Sequence, residues 1–427
     1  MTATEVSTAP VPGAVTTTRA SLRTPIVLAV LGVVALVFFG LLGSAGSTTT
    51  FGVSAGTDFV TIDPVEIPSK AGAIVLAVLA LALAAWSFVM ARAGRTVPVW
   101  LVAVFGVLWV LAFLTWAVAD KSTSLVSLMQ GSLLLAVPLA FGALGGLLNE
   151  RAGVVNIAIE GQLLTGAFGA AVLASVTGNA YVGLVAAPVF ALIIGSMLAL
   201  FTVKYHVNQI IVGVVLNVFA VGLTSFLFSS VLKENASQLN SPPRLEVLPI
   251  PLLSQIPVIG PVLFRQTVIV YLLYIAVAVI TVALFRTRWG LRVRAVGEYP
   301  QAADTVGISV ERTRWSNVLL GAAVAGLGGA FFTIGSVGAF GEEMTAGKGY
   351  IALAAMILGR WSPIGALTAA LLFGFADKLQ QVLGVLETPI PNQFMLMLPY
   401  VVTIFAVAGL VGRVRGPAAA GEPYEKG

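Results

Sequence analysis

The sequence has no cysteine and a single histidine, His206. Disulfides, thiolate metal sites, cysteine nucleophiles and multi-histidine metal centres are therefore excluded. Charge is nearly as scarce: Asp, Glu, Lys and Arg make up 10% of the 427 residues, against about 25% in a soluble domain. With 58% hydrophobic residues the chain has too little polar surface to cover itself in water, so the soluble, disordered and fibrous classes fall away. No internal repeat of 20–50 residues is evident. A phosphate loop is missing too. Gly341–Gly349 has one residue too many between its glycines and ends in glycine where Ser or Thr would hold magnesium.

What the chain does have is long uncharged runs. Residues 96–119, 122–148, 207–232, 266–285, 315–341 and 388–412 each hold 20 or more residues without an acid or base, and 161–203 is long enough for two crossings. About 20 apolar residues of helix span the hydrocarbon layer. The fold class predicted is an all-α, polytopic transmembrane helical bundle of about 12 spans: 24–44, 71–91, 97–118, 124–148, 156–176, 180–201, 208–232, 267–285, 315–335, 349–359, 363–383 and 394–411. Residues 1–23 read as a disordered cytoplasmic arm, 24–121 as three extra N-terminal spans, 122–412 as the core and 413–427 as a cytoplasmic tail. Residues 25–43 imitate a signal peptide, but the apolar run is long and many spans follow, so a retained first helix is expected.

With both termini inside, inner segments carry 16 of the 23 Lys and Arg, as positive residues on the cytoplasmic side require. The net charge of +5 therefore reflects orientation and does not call for a nucleic-acid partner. Segment 349–359 spans only about 16 Å as a helix. Parity still needs a crossing there, which predicts a broken helix around 338–359 with Gly341–Gly349 unwound and reachable from outside.

Several polar features resist a reading as inert membrane helix. Asn156 and Glu160 lie in Asn149–Gly161, packed between two apolar spans; Glu160 reads either as a structural ion-pair or interface residue or as part of a solute path. Asn208, Gln209 and Asn217 lie on the span 208–232, where amides either hydrogen-bond across helices or meet a polar solute; Asn208 and Gln209 read equally as headgroup-region residues, and the deeper Asn217 is the better solute candidate. Phe340 heads the broken stretch and either stacks on a ring or packs as core. Asp377, Gln380 and Gln381 read as interfacial, and the glycines of 142–146 and 321–329 as close-packing faces. The inner segment 286–314 carries six arginines against three acids. Within it, Pro300 at a helix start, Gln301, Ala302, Ala303, Asp304 and the stop Gly307 read as a short helix.

The segment NERAGVVNIAIEGQLLTGAFGAA (149–171) closely resembles permease subunits of bacterial ABC importers of the branched-chain amino acid/ribose/nucleoside group. Within that group it is most similar to the nucleoside and simple-sugar branch. Asn208–Gly213 with Asn217, Gly290–Glu298 and Met344–Ala354 extend the resemblance over about 124–412, with Ala158 where the family often has Gly and Lys348 where Arg is common. The resemblance implies an importer permease in the bacterial cytoplasmic membrane. Its implied partners are an ABC ATPase, a second homologous permease and an extracytoplasmic substrate-binding lipoprotein. It implies that ATP is used by the ATPase, with no cofactor or metal bound by this chain. It places ATPase coupling on Glu298, Pro300, Gln301, Ala302, Ala303, Asp304 and Gly307, where small residues would allow close approach. The polar and aromatic residues themselves make Asn156, Glu160, Asn208, Gln209, Asn217 and Phe340 the candidates for the path of a small neutral solute. A nucleoside is the expected solute, a simple sugar the alternative. A secondary transporter would instead hold an ion-coupling carboxylate at the midplane and lack a docking helix. A membrane-embedded enzyme would need a nucleophile or an acid/base pair, and none is visible.

Overall fold

A computed structural model describes residues 22–56, 58–386 and 416–425, with isolated positions between 391 and 400. Contacts divide the chain into two units, 1–52 with 64–123, and 53–63 with 124–427.

The first unit holds three long helices: α1 (Arg23–Leu41), α2 (Ser69–Arg92) and α3 (Val99–Ala117). Between α1 and α2 lie strands β1 (Thr48–Gly52) and β2 (Val65–Pro68), antiparallel with Thr48 opposite Pro68, and β3 (Ser122–Ser124) borders β1 on its other side. The helices pack closely because α2 buries a stripe of small side chains at helical spacing: Ala73, Ala77, Ala80, Ala84, Ser87 and Ala91. Phe39, Trp109, Phe113 and Trp116 form an aromatic cluster on the opposing helices, with Phe39 stacked 5.4 Å from Trp116.

The second unit is built around α4 (Leu125–Arg151), α5 (Ile159–Thr177) and α12 (Val310–Val337), with α6 (Ala180–Lys204), α7 (Gln209–Leu232) and α9 (Val268–Arg286) towards its surface. Burial separates the two classes: 83% of α4's apolar window is covered, against 33% for α7 and α9. Glycine permits the central approach. A Cβ at Gly145 would lie 2.5 Å from the Gly321 carbonyl oxygen, and one at Gly166 2.7 Å from that of Gly326. The small-residue faces read from the sequence are thus helix contacts. The proline-rich connection after α7 carries α8 (Ala236–Leu239) and a two-stranded pairing of β4 (Val247–Pro249) with β5 (Arg265–Thr267). After α9 come α10 (Arg288–Glu298) and α11 (Pro300–Thr305), and after α12 come α13 (Lys348–Leu358) and α14 (Pro363–Val385).

Eleven of the twelve expected spans are helices close to their predicted bounds; the twelfth, 394–411, lies outside the described residues. The described residues support part of the count of twelve crossings. Nine helices among the described residues are long and apolar enough to cross a membrane. The other two differ for physical reasons: α13 has only 11 residues, and α14 carries Asp377, Lys378, Gln380 and Gln381. The predicted break is present. α12 ends in a π-helical turn, Thr333–Val337, closed by Gly338 at φ +80°, and residues 338–347 are non-helical, with turn over 342–347, until α13 begins.

Candidate functional site

Two helices, α5 and α13, begin inside the bundle instead of at its edge. Residues 152–158 re-enter it in non-helical form, with Ala152, Gly153, Val154, Asn156 and Ala158 buried, before α5 starts. A helix start leaves its first N–H groups without partners, and in hydrocarbon each such group costs several kcal/mol. Two side chains from elsewhere in the chain supply those partners. Glu160, on the first turn of α5, accepts from the Gly347 N–H (2.8 Å), the Gly349 N–H (2.5 Å) and the Thr345 hydroxyl (2.6 Å). It therefore caps α13 across the bundle, where the positive end of the helix dipole complements a carboxylate. Gly349 is obligatory here, since a side chain would collide with the Glu160 backbone.

Asn217 does the same for α5. Its Oδ1 accepts from the Gly161 N–H (2.9 Å), and its Nδ2 donates to the Ile157 carbonyl (2.8 Å) and the Tyr350 hydroxyl (3.1 Å). Asn217 lies eight residues beyond Gln209, about 12 Å along α7. Gly349 lies roughly as deep, because α13 covers only about 16 Å. Beside these caps is a cavity of about 270 Å³, lined by Glu160, Asn217, Val218, Val221, Glu343, Thr345, Ala346, Gly347 and Tyr350. Val218 and Tyr350 are exposed at its mouth. Glu343 (φ +48°) and Ala346 (φ +46°) hold left-handed backbone in the turn that forms its floor. Next to it, Lys348 pairs with Asp377 of α14 at 2.6 Å, both side chains one-fifth exposed.

The structure brings together only some of the residues singled out in the sequence. Glu160 and Asn217 share the cavity wall. The ion-pair reading of Glu160 is replaced by a capping role, because its acceptor oxygens are taken by backbone amides and a hydroxyl. Asn156 is buried apart from the cavity and donates to Gln162 at 3.0 Å. Gln209 is buried and accepts from the Val155 N–H at 2.6 Å, while Asn208 is exposed and caps α7 through the Ile210 and Ile211 amides. Phe340 packs as core, 5.3 Å from Phe168 and 6.1 Å from Phe228, with its backbone clamped on both sides by Asn240.

The opposite, arginine-rich end of this unit is tied together by side chains from distant segments. Arg151 donates through Nε (3.0 Å) and Nη2 (2.7 Å) to the Trp361 carbonyl, and the Trp361 indole donates to Glu150 at 2.5 Å. The short helix α11 is where the sequence places it: Pro300 opens it and Gly307, at φ +83°, follows its end. Pro300 and Ala303 face inward, and Ala303 packs with Val296 and Val310. Ala303 is therefore covered within this chain. Ala302 on α11, with Tyr299 just before the helix and Val306 just after it, forms an exposed stripe, Tyr299 62% and Val306 74% exposed. Gln301 and Glu298 are also exposed.

The tail straps this loop. Ala419 donates to the Gly297 carbonyl, Ala418 to Glu298, and Arg314 to the Glu422 carbonyl at 2.8 Å. The Tyr424 hydroxyl hydrogen-bonds Asp304, and its pKa is raised by partial desolvation and by that carboxylate.

Comparison with known proteins gives this geometry a family. Residues 128–407 match the family described as branched-chain amino acid transport system / permease component. The chain belongs to this family. The nucleoside ABC transporter permease protein NupC of Lactococcus lactis is 39% identical over 70% of this chain and 96% of its own length. The guanosine ABC transporter permease protein NupQ of Bacillus subtilis is 38% identical over 70% of this chain and 97% of its own. A glucose ABC transporter permease of Haloferax volcanii is 32% identical over 65% of this chain and 80% of its own. No solved structure matches the chain significantly.

As a permease of this family the protein is a membrane-integral transport component. The cavity wall presents the Asn217 amide, the Thr345 hydroxyl, the Tyr350 phenol, the Glu160 and Glu343 carboxylates and the aliphatic Val218 and Val221, groups that hydrogen-bond and pack. Among the described residues no cluster of His, Asp and Glu is placed to hold a metal. Glu343 lies in the broken stretch that the sequence marks as needing water or partners, whereas Thr345 and Tyr350 were not singled out as wall residues. The available signal was their place beside the unwound stretch, because irregular backbone at membrane depth is tolerated only where it is buried in protein or lines a cavity.

Proposed function

We propose that this permease is the membrane subunit of an ATP-driven importer of nucleosides. Support for the solute comes from two relatives named for nucleoside and guanosine transport, each aligned over nearly its whole length. The observation on this chain that carries the reading is the cavity where α5 and α13 begin. It sets Asn217 and Tyr350 beside Val218 and Val221, with the Glu160 oxygens taken up in capping and Glu343 exposed, a wall that suits a solute with one hydrogen-bonding edge and one apolar face. A simple sugar is the second reading, favoured by the glucose-named relative.

In the proposed assembly this chain pairs with a homologous permease that completes the path at the exposed mouth of the cavity. An extracytoplasmic binding lipoprotein delivers the solute. A separate ATPase supplies the energy, and this chain binds no nucleotide or other cofactor. Both termini and the arginine-rich end face the cytoplasm across the bacterial inner membrane. The stripe Tyr299–Ala302–Val306, with Glu298, Gln301 and Asp304 around it, enters the groove of the ATPase. α12 then transmits movement: its 28 residues from Val310 to Val337, about 42 Å of rod, connect the docking loop to the turn that floors the cavity. ATP-driven closure of the ATPase tilts that rod and exposes the cavity alternately to the two sides.

The test is uptake of labelled guanosine, uridine, ribose, glucose and leucine in cells with and without this gene. Loss of nucleoside uptake alone is expected. Loss of glucose or ribose uptake with nucleosides unaffected would support the sugar reading, and unchanged uptake of all five would remove both.

A further inference from the structure

Beside α10 lies a groove of about 790 Å³ that shares only Val306 and Gly307 with the proposed docking loop. Arg288 and Arg292, one helical turn apart on α10, and Arg312, from the first turn of α12, all line it. Ser309, Thr313 and Ser316 lie between them, and no acid contributes to the lining. Among the described residues none of the three arginines makes an ion pair, and all three are exposed. Three like charges gathered from two helices without a counter-charge repel one another, which makes the groove a receptor for an anion. Guanidinium groups suit phosphate because their planar forks donate two parallel hydrogen bonds to its oxygens.

The position of the groove says which phosphate. Arg288 follows the end of α9 by two residues, and Ser316 lies on α12 where its apolar run begins. The groove therefore sits where two membrane spans leave the hydrocarbon. Its walls are apolar as well as basic: Trp289 lines it at the level tryptophan favours at membrane interfaces, and Leu291, 61% exposed, stands beside it. A soluble phosphate would use the arginines and leave this apolar wall bare. We propose that the groove binds an anionic phospholipid, with Arg288, Arg292 and Arg312 holding the headgroup phosphate and Trp289 and Leu291 packing on the glycerol and acyl chain. Val306 and Gly307 form part of the same lining, so a bound lipid braces the backbone that leaves α11. Lipid charge then acts on the docking loop as well as on membrane affinity.

The full-length chain, purified in detergent and stripped of lipid, is titrated with phosphatidylglycerol, phosphatidylcholine or inorganic phosphate, and bound species are counted by native mass spectrometry. Phosphatidylglycerol is expected to bind in preference to phosphatidylcholine, with millimolar phosphate displacing little of it. Each arginine near an anionic lipid contributes about fivefold, so the triple variant Arg288→Gln/Arg292→Gln/Arg312→Gln is expected to weaken binding roughly a hundredfold. The corresponding triple Lys variant keeps most of it. Arg286→Gln, which removes a charge from the same end of the molecule outside the groove, is expected to change it little. Equal retention by the triple Gln variant, or equal loss in Arg286→Gln, overturns the proposal. Full displacement by inorganic phosphate makes the groove a soluble-anion site and overturns it too. So does a triple Gln variant that loses a co-purifying protein while keeping its lipid, because the groove is then a protein contact.

Discussion

Glu160 and Asn217 carry more of this structure than their size suggests, because each holds the first turn of a helix from another part of the chain. Glu160→Gln keeps the shape but turns one acceptor into a donor facing the Gly347 or Gly349 N–H. Hydrogen bonds to a charged group are worth about 1.5–3 kcal/mol each, so the purified permease is expected to lose about 2–3 kcal/mol, seen as a clear fall in melting temperature, and uptake falls with it. Tyr350→Phe separates structure from solute contact. It removes only the 3.1 Å bond from Asn217, so stability is expected to change by no more than about 1 kcal/mol. A larger effect on uptake KM than on melting temperature assigns the phenol to the solute; unchanged KM assigns it to packing alone.

At the scale of elements, α13 and α11 make opposite demands. α13 is too short to hold itself in a membrane, and the Lys348–Asp377 pair anchors its first turn to α14. Removing one partner leaves a mostly buried charge without its counterpart, at about 3–5 kcal/mol. Lys348→Ala and Asp377→Ala are each expected to lower expression and uptake sharply. The exchanged pair Lys348→Asp/Asp377→Lys is expected to recover a substantial part, and the double-mutant cycle measures the coupling. For α11 the two neighbouring alanines are the test. Ala302→Glu, on the exposed stripe, is expected to abolish uptake and ATPase co-purification while leaving the melting temperature unchanged. Ala303→Glu buries a charge among Val296 and Val310 and is expected to destabilise the loop itself. Equal thermal effects of the two substitutions would contradict this assignment of faces.

For the whole molecule, the family match begins at residue 128, within α4, and leaves the first three helices outside it. A chain starting at Ser122 is therefore expected to insert and to retain nucleoside uptake in cells. Loss of insertion or of transport would make the N-terminal unit part of the working permease.

Composition, run length and charge asymmetry were enough to establish a membrane helical bundle, the approximate bounds of eleven helices and the break after α12. Those properties are local: hydrocarbon demands apolar runs, and a segment of 11 residues cannot span it. The polar positions in Asn149–Gly161 and in the span 208–232 also brought Glu160 and Asn217 forward, since an acid and a deep amide are costly wherever they lie. Their roles were not legible. Glu160 stands 187 residues from the Gly347 amide it caps, and Asn217 56 residues from that of Gly161. Nor could the sequence show that Ala302 faces out while Ala303 faces in, or that Phe340 is core. Those outcomes depend on which backbone groups and surfaces the packed helices leave unsatisfied, and only the tertiary arrangement decides that.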